Sequence, residues 1–408
     1  MKTIDLVYFN AGGGHRAAAL ALEAVAREQG RPWRVRLVDL FAVLDPQALF
    51  RKVAGFAPED FYNKRLSTGF TIGLAQELKV LQGLIRLAHP ALVRQLRQHW
   101  LGAGSDGEPD LVVSLVPNFN RALWHSVAGA LPGVPFVTVM TDLADHPPHF
   151  WIEPGATQHL VCGSARAVQQ ALAAGLPAAQ VHRSSGMILR PDFHRPVLTD
   201  RRAERHALGL EGRPPTGVVL FGGEGSNVMR RIAEALPQIP LILLCGRNEA
   251  LAARLRALPA SAPRIVVGYT REVARYMQLG DFLIGKPGPG SLSEAVQSGL
   301  PVIVTRNAWT MPQERYNTDW VQELGIGRVL KSFGGVREAV DDVSQRLPEL
   351  RAAVCRLKNE AVFEVTDLFE RLLDTAVLQS AASDCPAPIA GPSWRALPAS
   401  VQSLHRGA

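Results

Sequence analysis

Cysteine is scarce in this chain. Cys162, Cys245, Cys355 and Cys385 are scattered through 408 residues with no C-x-x-C spacing, so neither a zinc site nor a disulfide framework is indicated. Long apolar runs are missing as well. No stretch approaches the roughly 18 uninterrupted apolar residues of a membrane span, and MKTIDLVYFN leads directly into a strand pattern. The expectation is a chain that stays in the cytoplasm. Helix-turn-helix, finger and RNP-type aromatic motifs are also absent. The formal charge of +7 and pI near 9.5 are diffuse, with 44 basic against 37 acidic residues, and do not point to nucleic acid. An anionic membrane surface suits that charge better.

What is present is the composition of a soluble globular protein, 47% hydrophobic and 20% charged, with enough length for two full cores. Apolar, β-rich runs alternate with helical stretches, which argues for parallel sheets covered by helices on both faces. Strands are expected at Ile4–Phe9, Val35–Leu40, Leu111–Leu115, Phe136–Thr141 and His159–Cys162. A second set is expected at Gly217–Phe221, Leu241–Cys245, Arg264–Val267, Phe282–Ile284 and Pro301–Val304. Each half opens on a strand, a glycine-rich turn and a helix: FNAGGGHRAAALALEAV and LFGGEGSNVMRRIAEAL. The fold class is therefore α/β, two Rossmann-like domains facing each other across a cleft at the carboxyl ends of their strands. Pro191 to Arg213 reads as the linker, and the Pro-, Ser- and Ala-rich stretch after about Gln379 as a disordered tail.

Residues 48–100 read as a helical region broken by turns. Arg51, Lys52, Lys64, Arg65, Lys79, Arg86, Arg94 and Arg97 outweigh Glu59, Asp60 and Glu77, and Phe50, Phe56, Phe61, Phe70 and Ile72 are interleaved. That composition suits docking on anionic lipid, and equally suits an amphipathic layer over a sheet.

The most informative stretch is GKPGPGSLSEAVQSGLPVIVTRNAWTMPQERYN, from Gly285 to Asn317. A strand enters a loop containing Gly285, Gly288 and Gly290. Ser291 is then expected to open a helix, with Glu294 completing a capping box. Such a helix start offers unpaired N–H groups and the positive end of a dipole to an anion. In the first half Gly12, Gly14 and Ala17 match G-x-G-x-x-A and Asp39 ends the next strand, so a dinucleotide-dependent oxidoreductase is a rival. His15 falls in the first turn of that helix and faces the cleft, where a neutral imidazole is a natural general base.

Five ordered motifs resemble one family: GGGHR at 12–16, GGEG at 222–225, CGRN at 245–248, KPGPGSLSEA at 286–295 and PQERYN at 312–317. They look like those of the monogalactosyl- and monoglucosyldiacylglycerol synthases, GT-B glycosyltransferases related to the bacterial lipid II N-acetylglucosaminyltransferase. The resemblance spans about residues 1–378. It implies inverting transfer of a hexose from UDP-galactose or UDP-glucose to diacylglycerol by a peripheral enzyme on the inner face of the plasma membrane. Domains would be 1–195 on the acceptor and membrane side and 196–361 on the UDP-sugar side. A helix at 362–378 is a candidate to cross back, and 379–408 would be the tail.

By the same resemblance His15 takes the acceptor proton, with Gly13 and Gly14 beside it. Gly222, Gly223, Glu224 and Gly225 line the loop facing sugar and phosphate, and Gly288, Pro289, Gly290 and Ser291 hold the diphosphate. Gln313 touches sugar hydroxyls, Glu314 the ribose diol, and Gly268 with Tyr269 the uracil. Arg247 contacts the nucleotide or braces its loop. Asp142 orients His15, binds the acceptor hydroxyl or only caps its loop, and His146 lines the same wall. No D-x-D motif occurs, and helix ends can stabilise a leaving diphosphate, so no obligatory metal or other cofactor is expected. One departure is Val116 before Pro117, where those synthases commonly carry His-Pro, which bears on the acceptor. Other lipid-linked acceptors, or a sugar-nucleotide epimerase, are the alternatives within the fold.

Overall fold

The computed structural model describes residues 1–10, 13–45, 74–102, 107–210 and 214–383. Gly12, the aromatic and basic residues of 48–73, and the tail from 384 lie outside the described residues.

Twelve strands form two wholly parallel six-stranded sheets. The first contains β1 (Lys2–Tyr8), β2 (Trp33–Asp39), β3 (Leu111–Ser114), β4 (Phe136–Val139), β5 (His159–Cys162) and β6 (Val181–Arg183), in the order β2-β1-β3-β4-β5-β6. The second contains β7 (Gly217–Leu220), β8 (Leu241–Leu244), β9 (Arg264–Val267), β10 (Phe282–Gly285), β11 (Val302–Thr305) and β12 (Gly327–Leu330), in the order β12-β11-β10-β7-β8-β9. Strands such as LVVS, LILL and FLIG are buried along their whole length, as parallel strands with helices on both faces must be. Apolar clusters accordingly cover both faces of each sheet. The order in which strands are added reverses between β1 and β3 in one sheet and between β7 and β10 in the other. At such switch points adjacent connections leave on opposite faces and open a crevice beyond the strand ends.

Two strands were not expected, β6 and β12, and both are sheet edges. VHR and GRVL lack a fully buried position, so neither has the apolar signature of the central strands. The expected linker holds a short turn, Pro191–His194, and a helix, Arg201–Ala207. Arg201 and Arg205 from that helix, together with Arg351, converge on buried Asp281 at 3.1, 3.2 and 2.6 Å.

The last helix runs from Ala361 to Ser383, past Gln379 and into the stretch expected to be disordered, which its alanines favour locally. Val362, Val365, Leu368, Phe369 and Leu373 pack into the core of the first sheet, against the helix Gly14–Glu28. Arg31 adds ion pairs to Asp367 and Glu370, whose side chains are about half exposed. Each buried aliphatic or aromatic side chain is worth about 1.5–3 kcal/mol, against ~0–1 for an exposed pair, so packing holds this helix in place. Among the described residues no helix is long and apolar enough to cross a membrane.

Candidate active site

A cleft of about 1680 Å³ lies between the carboxyl ends of the two sheets. The first lobe contributes His15, Thr141 and Asp142 and an apolar wall that includes Phe9, Phe41, Phe119 and Leu81. The second contributes Gly222 to Gly225, Gly246, Arg247, Gly268, Tyr269, the loop Lys286 to Ser291, Glu294, Gln313 and Glu314. Every expected site residue on the donor side therefore reaches one cavity. Gly13 and Gly14 line it too, but His146 does not: it sits outside the cleft lining, its pKa held below the usual histidine value by partial burial and then by the charge of Arg315.

β1 delivers the chain to Gly13, whose φ of 77° is left-handed and turns it into the helix Gly14–Glu28. His15 is thereby set in the first helical turn, its ring 4.6 Å from that of Phe9 and 5.9 Å from that of Trp151. Its Nδ1 lies 3.0 Å from Thr141 Oγ1. Burial lowers its pKa to about 4, while a hydrogen bond to the Leu115 backbone acts in the opposite direction. The ring is thus neutral near pH 7, and the cause is desolvation.

Asp142 does not orient this ring. Its carboxylate accepts the Trp151 Nε1 hydrogen at 2.9 Å, and the side chain beside His15 Nδ1 is that of the residue before it, Thr141. Burial raises the Asp142 carboxyl to about 7; the Trp151 bond opposes this, Glu314 adds to it, and Lys286 also opposes. Glu314 and Lys286 line the same cleft from the second lobe.

On the second lobe the backbone is pressed close. Gly246 has φ of 59°, and a Cβ there would stand 2.0 Å from the Gly223 carbonyl oxygen, which accepts the Arg247 N–H at 2.8 Å. Arg247 pairs with Glu224 at 3.3 Å and lies 5.3 Å over the Tyr269 ring. It braces its loop and stacks at the cleft rim at once. At Gly268 a Cβ would meet Glu249 Oε1 at 2.6 Å.

The capping box is not formed. The helix spans Pro289–Gln297 with Gly288 as N-cap, because Pro289 takes the first helical position, where a missing N–H costs nothing. Ser291 therefore lies inside the first turn, and its hydroxyl donates to the Gly288 carbonyl at 3.3 Å. Glu294, one turn on and on the same face, points into the cleft, where burial pushes its pKa to about 7 against the charge of Arg190. Asn317 secures the loop by donating to the Pro287 carbonyl at 2.7 Å. Lys286 Nζ meets Glu314 Oε1 at 3.0 Å, with Glu314 and Gln313 both buried in the turn Pro312–Glu314. Among the described residues no group of three or more His, Cys, Asp or Glu could hold a metal ion.

No family model matches the chain. A probable monogalactosyldiacylglycerol synthase 2, chloroplastic, of Oryza sativa subsp. japonica is 30% identical over 400 residues, covering 91% of this chain and 81% of that protein. The chain belongs to the monogalactosyldiacylglycerol synthase family. The spinach (Spinacia oleracea) synthase is 28% identical over 398 residues, covering 91% of this chain and 73% of its own. Among solved structures, MurG of Acinetobacter baumannii superposes with a TM-score of 0.54 at 15% identity, covering 91% of this chain and all of that one. Os79 from O. sativa, solved in complex with UDP, gives 0.55 at 11% identity, covering 92% and 100%. The fold is GT-B, and the protein is a hexosyltransferase of this synthase family.

Within that family the departure at Val116 can be located: Val116 is fully buried, and it is Pro117 that lines the cleft. Cleft groups that carried no expected role include Thr141, Lys286 and, beyond its supposed cap, Glu294; buried Trp151, bonded to Asp142, carried none either. Lys286 and Glu294 stood in the quoted glycine-loop motif and were legible there as charges beside a phosphate-type turn. Thr141 and Trp151 fall in PFVTVMTDLADHPPHFW, 135–151, a stretch that also resembles the family, but neither was given a role of its own.

Proposed function

We propose that this enzyme transfers a galactosyl or glucosyl residue from a UDP-sugar to diacylglycerol with inversion, docked on an anionic membrane face. The observation that carries this is the pairing across one cleft of a neutral imidazole, His15, with a glycine-rich helix start, Gly288 to Ser291. The first suits removal of a proton from an alcohol, the second reception of a diphosphate. UDP as the nucleotide is supported by Os79, solved with it, and diacylglycerol by the names of the relatives.

In one displacement the acceptor oxygen bonds to the anomeric carbon as the bond from that carbon to the phosphate oxygen breaks. The acceptor proton passes to His15, and the electron pair leaves with the diphosphate. The departing charge meets the N–H groups of Gly290 and Ser291, the Ser291 hydroxyl and the Lys286 ammonium. Pro289 keeps the turn open, and Gly222, Gly223 and Gly225, with Glu224 clamped by Arg247, admit the sugar and phosphate without side-chain obstruction. Gly268 and Tyr269 flank the base. Glu314 and Gln313 meet the hexose, because Glu314 is the carboxylate felt by Asp142 at the acceptor end. The ribose diol falls to Glu294, a turn beyond the diphosphate site. Asp142, neutral up to about pH 7, is placed to donate to an acceptor hydroxyl.

The first lobe suits a lipid. Its cleft wall is apolar, and the helix Leu74–Leu87 exposes Val80, Leu84 and Leu87 at i, i+4 and i+7 beside Lys79 and Arg86. The test is incubation with labelled UDP-galactose or UDP-glucose and diacylglycerol vesicles, with His15→Ala as the control. Wild type yields monohexosyldiacylglycerol. The variant loses at least ~100-fold in rate, the lower end of general-base catalysis, while binding UDP as before. Full activity in the variant removes His15 from the mechanism, and no glycolipid with either donor removes the substrate assignment.

A further inference from the structure

We propose that Met311 is a positioning residue for the transferred hexose: it plugs the turn Pro312–Glu314 of the second lobe into the apolar core of the first, and so fixes where Gln313 and Glu314 stand relative to His15. This rests on the reading that those two side chains meet the sugar.

Met311 ends the loop that follows β11 and is 6% exposed. Every other member of the apolar cluster it joins belongs to the first lobe, Met140, Phe150, Trp151, Leu160 and Cys162 among them. One side chain of the donor lobe is thus seated in the core of its opposite number. An unbranched thioether suits such a socket, because it adapts to an irregular gap. The turn that follows is tied to the plug. The Met311 carbonyl accepts the Glu314 N–H at 2.9 Å, and the Gln313 amide reaches the Met311 sulfur at 4.0 Å. Gln313 and Glu314 are themselves buried, so plug and turn form one piece.

The socket is tied to the acceptor side as well. Trp151, a member of the cluster, donates to Asp142 at 2.9 Å and lies 5.9 Å from the His15 ring. The lobes are also stitched where the chain crosses between them. There Asn359 donates to the Met187 carbonyl at 2.9 Å, and the Glu360 N–H to the Ser185 hydroxyl at 2.7 Å. Two crossing segments alone form a hinge about which the lobes can turn. The Met311 plug removes that freedom at the end of the cleft where the sugar sits. In-line displacement needs the anomeric carbon held against the acceptor oxygen, and a shift of about 1 Å costs on the order of 100-fold in rate. UDP alone carries no hexose and does not call on this turn.

The experiment compares full-length wild type, Met311→Ala and Met311→Leu in hexose transfer from UDP-galactose and UDP-glucose, and in calorimetric binding of UDP. Met311→Ala lowers kcat/KM for the UDP-sugar about 100-fold and leaves Kd for UDP unchanged, which certifies the fold of the donor lobe. Met311→Leu, which keeps volume and apolarity, recovers most of the loss. An alanine variant as active as wild type, or one that loses UDP in proportion, overturns the proposal. Small-angle scattering of ligand-free wild type and Met311→Asp reads the plug without turnover. A carboxylate is expelled from an apolar socket, so the maximum dimension grows. Identical scattering from the two proteins overturns the plug. A wild type that transfers no hexose would refute the function, while the scattering still decides whether Met311 joins the lobes.

Discussion

Replacing Asp142 by asparagine is expected to stabilise the protein at neutral and higher pH and to leave it unchanged in acid. The side chain is 7% exposed and accepts a hydrogen bond from Trp151 Nε1, which asparagine's carbonyl oxygen can also accept. Shape and bond are kept, and the charge is removed. Burial raises the carboxyl from 3.8 to about 7, so the folded chain holds its proton more tightly than the unfolded one. The sign follows from linkage. Below pH 3.8 both states are protonated and nothing is lost; between 3.8 and about 7 the unfolded state alone ionises, and the folded state loses stability steadily; above about 7 the loss is constant. At ~1.36 kcal/mol for each tenfold change in proton affinity, the full difference is at most roughly 4 kcal/mol. Urea unfolding of wild type and Asp142→Asn at pH 4, 6 and 8 measures it directly, since every other titrating group is common to both. The variant's midpoint should coincide with wild type at pH 4 and exceed it increasingly to pH 8. A constant offset across that range, or a less stable variant at pH 8, would show that the carboxyl is ionised in the fold and refute the reasoning.

Two more outcomes follow from the second lobe and from His15. Glu294→Gln should weaken binding of UDP and UDP-sugar alike, by about 1–3 kcal/mol for a lost charged hydrogen-bond partner, whereas Glu314→Gln should weaken the UDP-sugar and spare UDP; calorimetric titration with both ligands checks the division, and the reverse pattern would return the ribose to Glu314. Because burial holds His15 near 4, the base is neutral above that value and is lost as pH falls through it, so the acid limb of kcat/KM should lie well below pH 6.5; a limb at 6.5 or above would mean a solvated ring.

How much of this was legible beforehand depended on how local each cause is. Central strands announce themselves because four consecutive apolar residues, as in LILL, have nowhere to go but a sheet covered on both faces. The edges β6 and β12 escape because one side of each faces solvent or an irregular neighbour and the apolar run is lost. His15 and the two glycine loops are visible because backbone conformation demands particular residues there. Ser291 was misplaced as a cap because S-x-x-E is a local pattern that Pro289, two residues earlier, overrides. Contacts of long sequence separation were not visible at all. Thr141 lies 126 positions from His15, so their contact exists through the sheet, and although Lys286 and Glu314 both stand in quoted motifs, nothing in those motifs pairs them across 28 positions.

The same distinction disposes of the dinucleotide reading, which G-x-G-x-x-A and Asp39 had kept open. In a dinucleotide fold the acidic residue ending the second strand must offer its oxygens to a ribose. Asp39 instead accepts the Phe41 N–H at 3.1 Å, capping the short helix Leu40–Leu44, and the Asn10 side-chain amide at 2.8 Å. Both carboxylate oxygens are thus engaged by the protein. The first turn of the following helix, where a pyrophosphate would sit, carries the imidazole of His15 wedged against Phe9 and Trp151. The described wall around it is largely apolar, with Phe41, Phe119 and Leu81, beside the uncharged Asn10, Asn118 and Thr141. An anion would gain little there from a neutral ring and aromatic walls, whereas across the cleft it finds free N–H groups, a hydroxyl and Lys286. The two glycine turns look alike in sequence, yet the proposed function gives one to the alcohol and the other to the phosphate, and on that reading the asymmetry makes the cleft a place for transfer between them.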